Sequence, residues 1–285
     1  MSGSDATGGW VAYQYNPSMP AAVIFAALFM IGTLLHTYRM IRTRTWFLIP
    51  LVIGGYFEAV GYIGRAMSAT QSPDWTLGPY IMQSTLLLVA PALFAASIYM
   101  ELGRIILLVK AEKLAIIRVN WMTKIFVAGD VLSFLMQASG ESRLGAGIMV
   151  NGSPTMGQNL IVGGLFVQIA FFGFFVVSAL VFQIRIASHP TDESQNAGIP
   201  WRKHMFALYS SSGLILIRSV FRVIEYLEGS DGFLLQHEVF IYLLDGLLML
   251  LVLLVFVVIH PSEVKRLLRC GSVSPLKGEE MSMPV

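Results

Sequence analysis

Seven long apolar segments constrain this chain more than any other feature of its sequence. A helix needs about 20 mostly apolar residues to cross the roughly 30 Å of hydrocarbon in a bilayer. Seven segments meet this requirement, at residues 20–39, 46–65, 79–103, 121–141, 160–186, 204–227 and 237–260. Only 13% of the residues are charged, whereas soluble domains carry about 25%. The sequence therefore predicts an all-α integral membrane protein, a bundle of seven transmembrane helices or spans.

The basic residues predict how the spans are oriented, because lysine and arginine in short loops favour the cytoplasm. Fifteen of the 19 basic residues fall at one face of the predicted bundle: Arg39, Arg42, Arg44, Arg104, Lys110, Lys113, Arg118, Lys124, Arg185, Arg202, Lys203, Lys265, Arg266, Arg269 and Lys277. An odd number of spans puts the termini on opposite sides. We therefore predict a short extracellular tail at residues 1–19, the seven-helix transmembrane domain at 20–261 and a cytoplasmic tail at 262–285.

Polar residues recur within the spans at helical spacing. Four spans carry such sets: Glu58 and Arg65 on span two, Asp130 and Gln137 on span four, Arg218, Arg222 and Glu225 on span six, and Glu238 and Asp245 on span seven. Residues three, four or seven apart share one face of a helix, so each set forms a polar stripe. At a rise of about 1.5 Å per residue, Asp130 and Asp245 lie near the middle of the membrane, and most of the other charges lie towards its outer surface.

These polar stripes predict a binding cavity in the outer half of the bundle. A charge at the centre of a membrane helix costs at least about 2.5 to 3.5 kcal/mol, so the charged groups must pair with one another or contact water. We predict a polar cavity, open or able to open to the outside, in which the carboxylates neutralise the arginines. Ten residues are predicted to line it: Glu58, Arg65, Gln83, Asp130, Gln137, Arg218, Arg222, Glu225, Glu238 and Asp245.

Simpler structural roles are open for the same residues. Arginines and glutamates near the span ends can extend to the head groups. Asp130, Asp245 and the glutamines can hydrogen-bond neighbouring helices without any further function. Pro91, midway along span three, is expected to bend that helix and to free a backbone carbonyl, as a hinge or as a static bend.

Several functional classes lack the residues that they need. The five histidines form no HxxxH or HExxH pair, which an intramembrane zinc enzyme requires. No glycine-rich phosphate loop or serine elbow is present, and span seven has no lysine to hold retinal. A net charge of +2 gives no reason to expect a nucleic acid partner. We therefore predict neither an enzyme nor a bound cofactor or metal.

Five segments resemble a known family. They are EAVGYIGR at 58–65, QSTLLLVAPALFAASIYMELGR at 83–104, GDVLSFLMQASG at 129–140, IRSVFRVIE at 217–225, and E-x-x-x-Y-x-x-D at 238–245 in a span that ends at His260-Pro261. Together they resemble the fungal lipid-translocating exporter family of seven-span proteins, over about residues 54–262. The resemblance implies a plasma-membrane protein that moves amphipathic lipids, such as sphingoid long-chain bases, and confers resistance to them.

The predicted cavity and this resemblance give one functional hypothesis. A sphingoid base has an ammonium head, hydroxyl groups and one long tail. In the hypothesis Glu58, Asp130 or Asp245 contacts the ammonium, Gln83 and Gln137 bind hydroxyls, and the tail stays among membrane lipids. The alternative is a seven-span receptor or lipid or stress sensor without transport. The sequence does not determine the cargo, the direction, the energy source or the oligomeric state.

Two sites of modification are open alternatives. Asn151-Gly152-Ser153 matches the glycosylation pattern in a predicted outer loop. The segment SEVKRLLRC after Pro261 is predicted to form a short basic interfacial helix. Cys270 within it is either a palmitoylation site or an unmodified thiol.

Overall fold

A computed structural model describes residues 17–71, 76–150, 154–196, 198–228, 234 and 237–271. Within these ranges, seven helices are long and apolar enough to cross a membrane, and the predicted seven-span bundle is confirmed. Spans one to six are Met19–Thr43, Ile49–Thr70, Leu77–Leu108, Val119–Val150, Pro154–Ser188 and Trp201–Glu228. Span seven is built from Glu238–Phe240, Ile241–Leu247 and Leu248–Val258. Asn151 and the side chains of Arg143 and Cys270 lie outside the described residues.

Two spans end in the same backbone motif. Arg44, after span one, and Lys110, after span three, have φ angles of 55° and 51°. In each case the next backbone N–H donates to a carbonyl five residues back, from Thr45 to Met40 and from Ala111 to Ile106. This left-handed ending satisfies carbonyls that a helix end otherwise exposes, and a basic residue there interacts favourably with the helix dipole.

The start of span one and the helix that follows span seven lie at opposite ends of the bundle. At one end, the backbone N–H of Ser18 donates to the carboxylate of Glu238. At the other end, Lys265 donates to the backbone carbonyl of Arg44. We call these the Ser18 end and the Lys265 end. The described parts of the chain thus enter and leave at opposite ends, while the assignment of the Lys265 end to the cytoplasm stays a prediction from the charge rule.

A short helix follows span seven, as predicted for the segment after Pro261. It runs over Ser262–Gly271 and packs on span three. Val264 is fully buried in that contact.

The outer surface of the bundle is apolar. Side chains such as Ile31, Phe206 and Val258 are 66%, 68% and 78% exposed. A surface of this kind suits contact with acyl chains, because lipid tails are as apolar as these side chains. The polar residues therefore lie inside the bundle rather than on its lipid-facing surface.

Glycines bring span two close to span three. A Cβ atom added at Gly54 would lie 2.8 Å from the Phe94 ring and 3.0 Å from the Ala90 carbonyl oxygen. A Cβ added at Gly61 would lie 2.8 Å from the Leu87 side chain. Small residues permit this approach of two backbones, which places Glu58, between the two glycines, beside span three.

Candidate functional site

Eight of the ten predicted site residues are buried, and Arg222 and Glu238 are partly exposed. Nine of the ten separate into three groups. The central cluster contains Glu58, Arg218, Arg222, Glu225 and Asp245. The end group, nearer the Ser18 end, contains Arg65 and Glu238. The lateral group, between spans three, four and five, contains Asp130 and Gln137. Gln83 is buried on span three, where its backbone carbonyl faces Gly61 of span two.

An ion pair between spans six and seven forms the core of the central cluster. Nε of Arg218 donates to Oδ1 of Asp245, and its Nη2 donates to the backbone carbonyl of Leu87 at 2.8 Å. The side chains of Arg218 and Asp245 are 1% and 2% exposed. A guanidinium in this position needs several acceptors, and here a carboxylate and a carbonyl supply them.

Pro91 explains why the Leu87 carbonyl is available. In an α-helix the carbonyl of residue i accepts from the N–H of residue i+4, and proline has no N–H. Residue i+4 from Leu87 is Pro91. The carbonyl that the proline frees is thus the one that binds Arg218, and this gives the predicted bend a specific role in the site.

Asp245 lies in an irregular part of span seven. Residues Ile241–Leu247 form a π-helix, a rare conformation that occurs mostly as short insertions, frequently at functional sites. The next residue, Gly246, packs against span two: a Cβ there would lie 2.3 Å from the Tyr62 hydroxyl and 2.8 Å from the Phe25 ring. The wide turn and the missing side chain together bring Asp245 up to spans two and six.

The remaining members of the central cluster are Arg222, Glu225 and Glu58. Nη1 of Arg222 donates to Oε2 of Glu225 at 2.7 Å. Glu58 is 1% exposed, and the charges of Asp245, Arg218 and Arg222 act on it. The cluster therefore combines three carboxyl groups with two guanidinium groups.

The end group joins spans two and seven to the start of span one. Nη2 of Arg65 donates to Oε1 of Glu238 at 2.9 Å, and its Nε donates to the Tyr242 hydroxyl at 3.0 Å. The backbone N–H of Ser18 lies 2.8 and 2.9 Å from the two carboxylate oxygens of Glu238. These contacts hold three spans together at the Ser18 end.

An aromatic layer separates the end group from the central cluster. Tyr62 follows Glu58 by one turn on span two, and Tyr242 precedes Asp245 by one turn on span seven. Their ring centroids are 5.9 Å apart, and Phe25 of span one lies 5.4 and 5.0 Å from them. The sequence allowed a cavity that was open or able to open to the outside, and in this conformation the cluster is covered on that side.

The lateral group does not join the central cluster. The Tyr99 hydroxyl donates to Oδ2 of Asp130 at 2.9 Å. Nε2 of Gln137 donates to the Ser133 hydroxyl at 2.7 Å, and that hydroxyl donates to the backbone carbonyl of Gly164. Asp130 and Gln137 therefore connect span four to spans three and five. We expected all ten residues to line one cavity, but Asp130 and Gln137 connect span four to spans three and five instead. Helix spacing alone does not determine which neighbouring helix a polar face contacts.

The Tyr99 hydroxyl provides a first test of this division. The change Tyr99→Phe leaves a buried carboxylate oxygen of Asp130 without its donor, so we expect a loss of about 1–3 kcal/mol in unfolding free energy. Tyr38→Phe, at an exposed tyrosine, is the matched control and should change stability little. Thermal unfolding in detergent measures both. A variant Tyr99→Phe that unfolds at the wild-type temperature would contradict the structural role.

Sequence reasoning missed a third polar cluster, at the Lys265 end. Nδ1 of His204 lies 3.5 Å from Oε1 of Glu101, and its Nε2 lies 3.4 Å from Oε2 of Glu263. Glu101 and His204 are fully buried. The available signal was an acidic residue within the third apolar segment, but its partners come from span six and the final helix, far away in the sequence. Among the described residues, no group of histidine, cysteine or acidic side chains is arranged to hold a metal ion.

Comparison with known proteins gives a consistent result. Residues 51–267 match the family model described as RTA1 like protein. The chain is 38% identical to Protoporphyrin uptake protein 1 of Saccharomyces cerevisiae, over 89% of this chain and 93% of that protein. It is 37% identical to Protein RTA1 of the same yeast, over 90% and 86%. It is 23% identical to Sphingoid long-chain base transporter RSB1 of Saccharomyces cerevisiae, over 94% and 75%.

No solved structure matches the chain. The family match covers spans two to seven, from Leu51 onwards, and these spans contain all ten predicted site residues. Relatives in this family are named as transporters, which supports a membrane transport role at the level of the family. The chain belongs to the RTA1-like protein family.

Proposed function

We propose that this protein translocates amphipathic lipids, such as sphingoid long-chain bases, across the plasma membrane, and that their polar heads pass through the central cluster. The proposal rests on the family and on a relative named as a sphingoid long-chain base transporter. The observation that carries it is the buried Arg218–Asp245 pair with Glu58 beside it.

The central cluster is a costly way to hold helices together. Ionisable residues inside a membrane are rare, and they mark substrate or ion pathways when they are found there. A buried ion pair is seldom the most stable solution, because well-packed apolar residues of similar volume often stabilise a fold equally or better. Packing of the helices alone does not require these charges, whereas binding of a polar cargo head does.

Transport requires a second conformation, because the cluster is covered in the one described. Three features give the bundle places to rearrange: the Tyr62–Tyr242 layer, the π-helix of span seven and the hydrogen bond missing at Pro91. A cargo that binds the uncovered state more tightly shifts the population towards it. The head then passes between spans two, six and seven while the tail stays in lipid.

Porphyrins are a second cargo class, favoured by the relative named Protoporphyrin uptake protein 1. The charge balance of the central cluster argues for the first class. With three carboxyl groups and two guanidiniums, the cluster has a third carboxyl group to pair with an ammonium head, whereas both guanidiniums already pair with carboxylates. Both classes therefore belong in the same experiment.

Purified protein in phosphatidylcholine vesicles tests the proposal. We expect it to accelerate transbilayer movement of a fluorescent sphingoid base, measured by quenching from outside, at least about 10-fold over empty vesicles, a difference of about 1.4 kcal/mol in the barrier. The change Asp245→Asn should remove most of this acceleration. Glu112→Gln, at an exposed residue of the Lys265 end, is the control.

The outcomes separate the competing functions. Acceleration of protoporphyrin but not of the sphingoid base would replace the lipid proposal with the porphyrin one. No acceleration of either cargo by folded protein would overturn the transport proposal and favour a receptor or sensor.

A further inference from the structure

Glu58 is the acidic member of the central cluster that forms no ion pair with any described residue. Arg218 is bound to Asp245, and Arg222 is bound to Glu225. Neither carboxylate oxygen of Glu58 has a hydrogen-bond partner within the described part of the chain. The side chain is nevertheless 1% exposed.

The surroundings of Glu58 supply both signs of charge but no direct contact. The charged groups that act on it are Arg218 and Arg222 from span six and Asp245 from span seven. Its own span contributes Tyr62, whose hydroxyl also lacks a hydrogen-bond partner among the described residues. Spans one and three pack against this part of span two with apolar side chains, Phe29, Leu87 and Phe94.

This arrangement allows Glu58 two stable states. An ionised carboxylate without a partner is costly in a core surrounded by hydrocarbon. The cost disappears if Glu58 carries a proton, and it also disappears if a cation binds beside it. Among the described residues, both guanidiniums of the cluster already pair with other carboxylates, so a bound ammonium group is one such cation.

We propose that Glu58 is an exchange site, which holds a proton when the central cluster is empty and releases that proton when the ammonium group of a cationic lipid binds. The proposal rests on the proposed transport function and specifies its substrate class and coupling. The exchange balances: the carboxylic acid and the lipid ammonium give a carboxylate–ammonium pair and one proton, which passes to water. Repeated over a transport cycle, the exchange moves one proton in the direction opposite to each cationic lipid.

The site also selects among lipid heads. A primary ammonium offers three N–H donors on a compact group, enough to reach Glu58 and Asp245 together. A neutral head releases no proton, and both guanidiniums that could bind an anionic head already pair with carboxylates. The cargo class is therefore a single-chain lipid with a free amine.

Binding experiments test the exchange without any need for transport. Isothermal titration in detergent, in two buffers of different ionisation enthalpy, counts protons released from wild-type protein by a short-chain sphinganine. We expect about one proton per bound amine, because proton and ligand binding are linked at this group. The N-acetylated sphinganine, which has no charge, should release none. Glu58→Gln should release none with either ligand, while Glu112→Gln should behave as the wild type.

Vesicle experiments test the coupling. A pH gradient across the vesicle membrane should drive the fluorescent sphingoid base towards the acidic side in the wild type, and Glu58→Gln should abolish the dependence on the gradient. Glu58→Asp, which keeps the acid, should retain part of it.

The proposal and the transport function fail in different ways. Proton release on binding without movement of lipid would support the exchange site and overturn transport. Movement of lipid by the wild type with no proton release and no response to the gradient would overturn the exchange site alone. These two wild-type measurements decide the matter even if Glu58→Gln fails to fold.

Discussion

Replacing Arg218 with methionine is expected to destabilise the bundle by about 3–5 kcal/mol, because it leaves Asp245 as a buried charge without its partner. The Leu87 carbonyl, freed by Pro91, loses its donor in the same variant. Translocation of lipid should fall to the rate of empty vesicles. Thermal unfolding in detergent, followed by tryptophan fluorescence, measures the first effect, and the vesicle assay measures the second.

A double variant distinguishes a structural role of this ion pair from a functional one. Arg218→Met combined with Asp245→Leu replaces both charges with apolar side chains, so stability should return to near the wild-type level or exceed it. Transport should not return, since the polar head then meets Glu58 without the Arg218–Asp245 pair beside it. A double variant that moves lipid at the wild-type rate would show that the pair only ties spans six and seven together.

Gly54→Ala is expected to cost about 1–3 kcal/mol of stability, because the added methyl group overfills a packed contact. The new Cβ would lie 2.8 Å from the Phe94 ring and 3.0 Å from a backbone oxygen of span three. Relief of that contact requires spans two and three to separate, which moves Glu58 away from the central cluster. We therefore expect a reduced transport rate together with a lower unfolding temperature.

Gly213→Ala is the matched control for this change. Gly213 lies on span six, and a Cβ there would meet nothing within 4 Å. Alanine is the better helix former by about 1 kcal/mol, so the control should be neutral or slightly stabilising. Equal destabilisation by the two changes would show that glycine content, rather than the contact between spans two and three, matters at Gly54.

Residues of similar type follow one another in the same spatial order on spans two and seven. On span two, Glu58, Tyr62 and Arg65 follow one another at intervals of about one turn. On span seven, Asp245, Tyr242 and Glu238 do the same in the opposite chain direction. An acidic level, an aromatic level and an ion-paired level therefore face each other from the middle of the bundle to the Ser18 end. Opening of the proposed path requires the residues of the aromatic level and of the ion-paired level to move apart.

The sequence predicted some parts of this site well. A spacing of seven residues predicted that Glu58 and Arg65 share one face of span two and that Glu238 and Asp245 share one face of span seven. The reason is that a helix returns to the same face after two turns. The predicted loss of a hydrogen bond at Pro91 also required only the chemistry of proline.

Other parts needed contacts between helices. Asp130 and Asp245 have equivalent depth and spacing in the sequence, yet Asp130 binds Tyr99 and Asp245 binds Arg218. Nothing in either segment shows which neighbour its polar face meets. The Glu101–His204 contact was missed for the same reason, since it joins spans three and six.

The sequence by itself determined the number of spans, their approximate limits and the presence of charges within them, because hydrophobic length and helical periodicity are local properties of a chain. Only the tertiary structure decided which charges meet, that the π-helix of span seven brings Asp245 to Arg218, and that no described residue is a hydrogen-bond partner of Glu58. These facts depend on how seven helices rotate and pack against one another. Packing of that kind is a property of all the spans together, and no single segment encodes it.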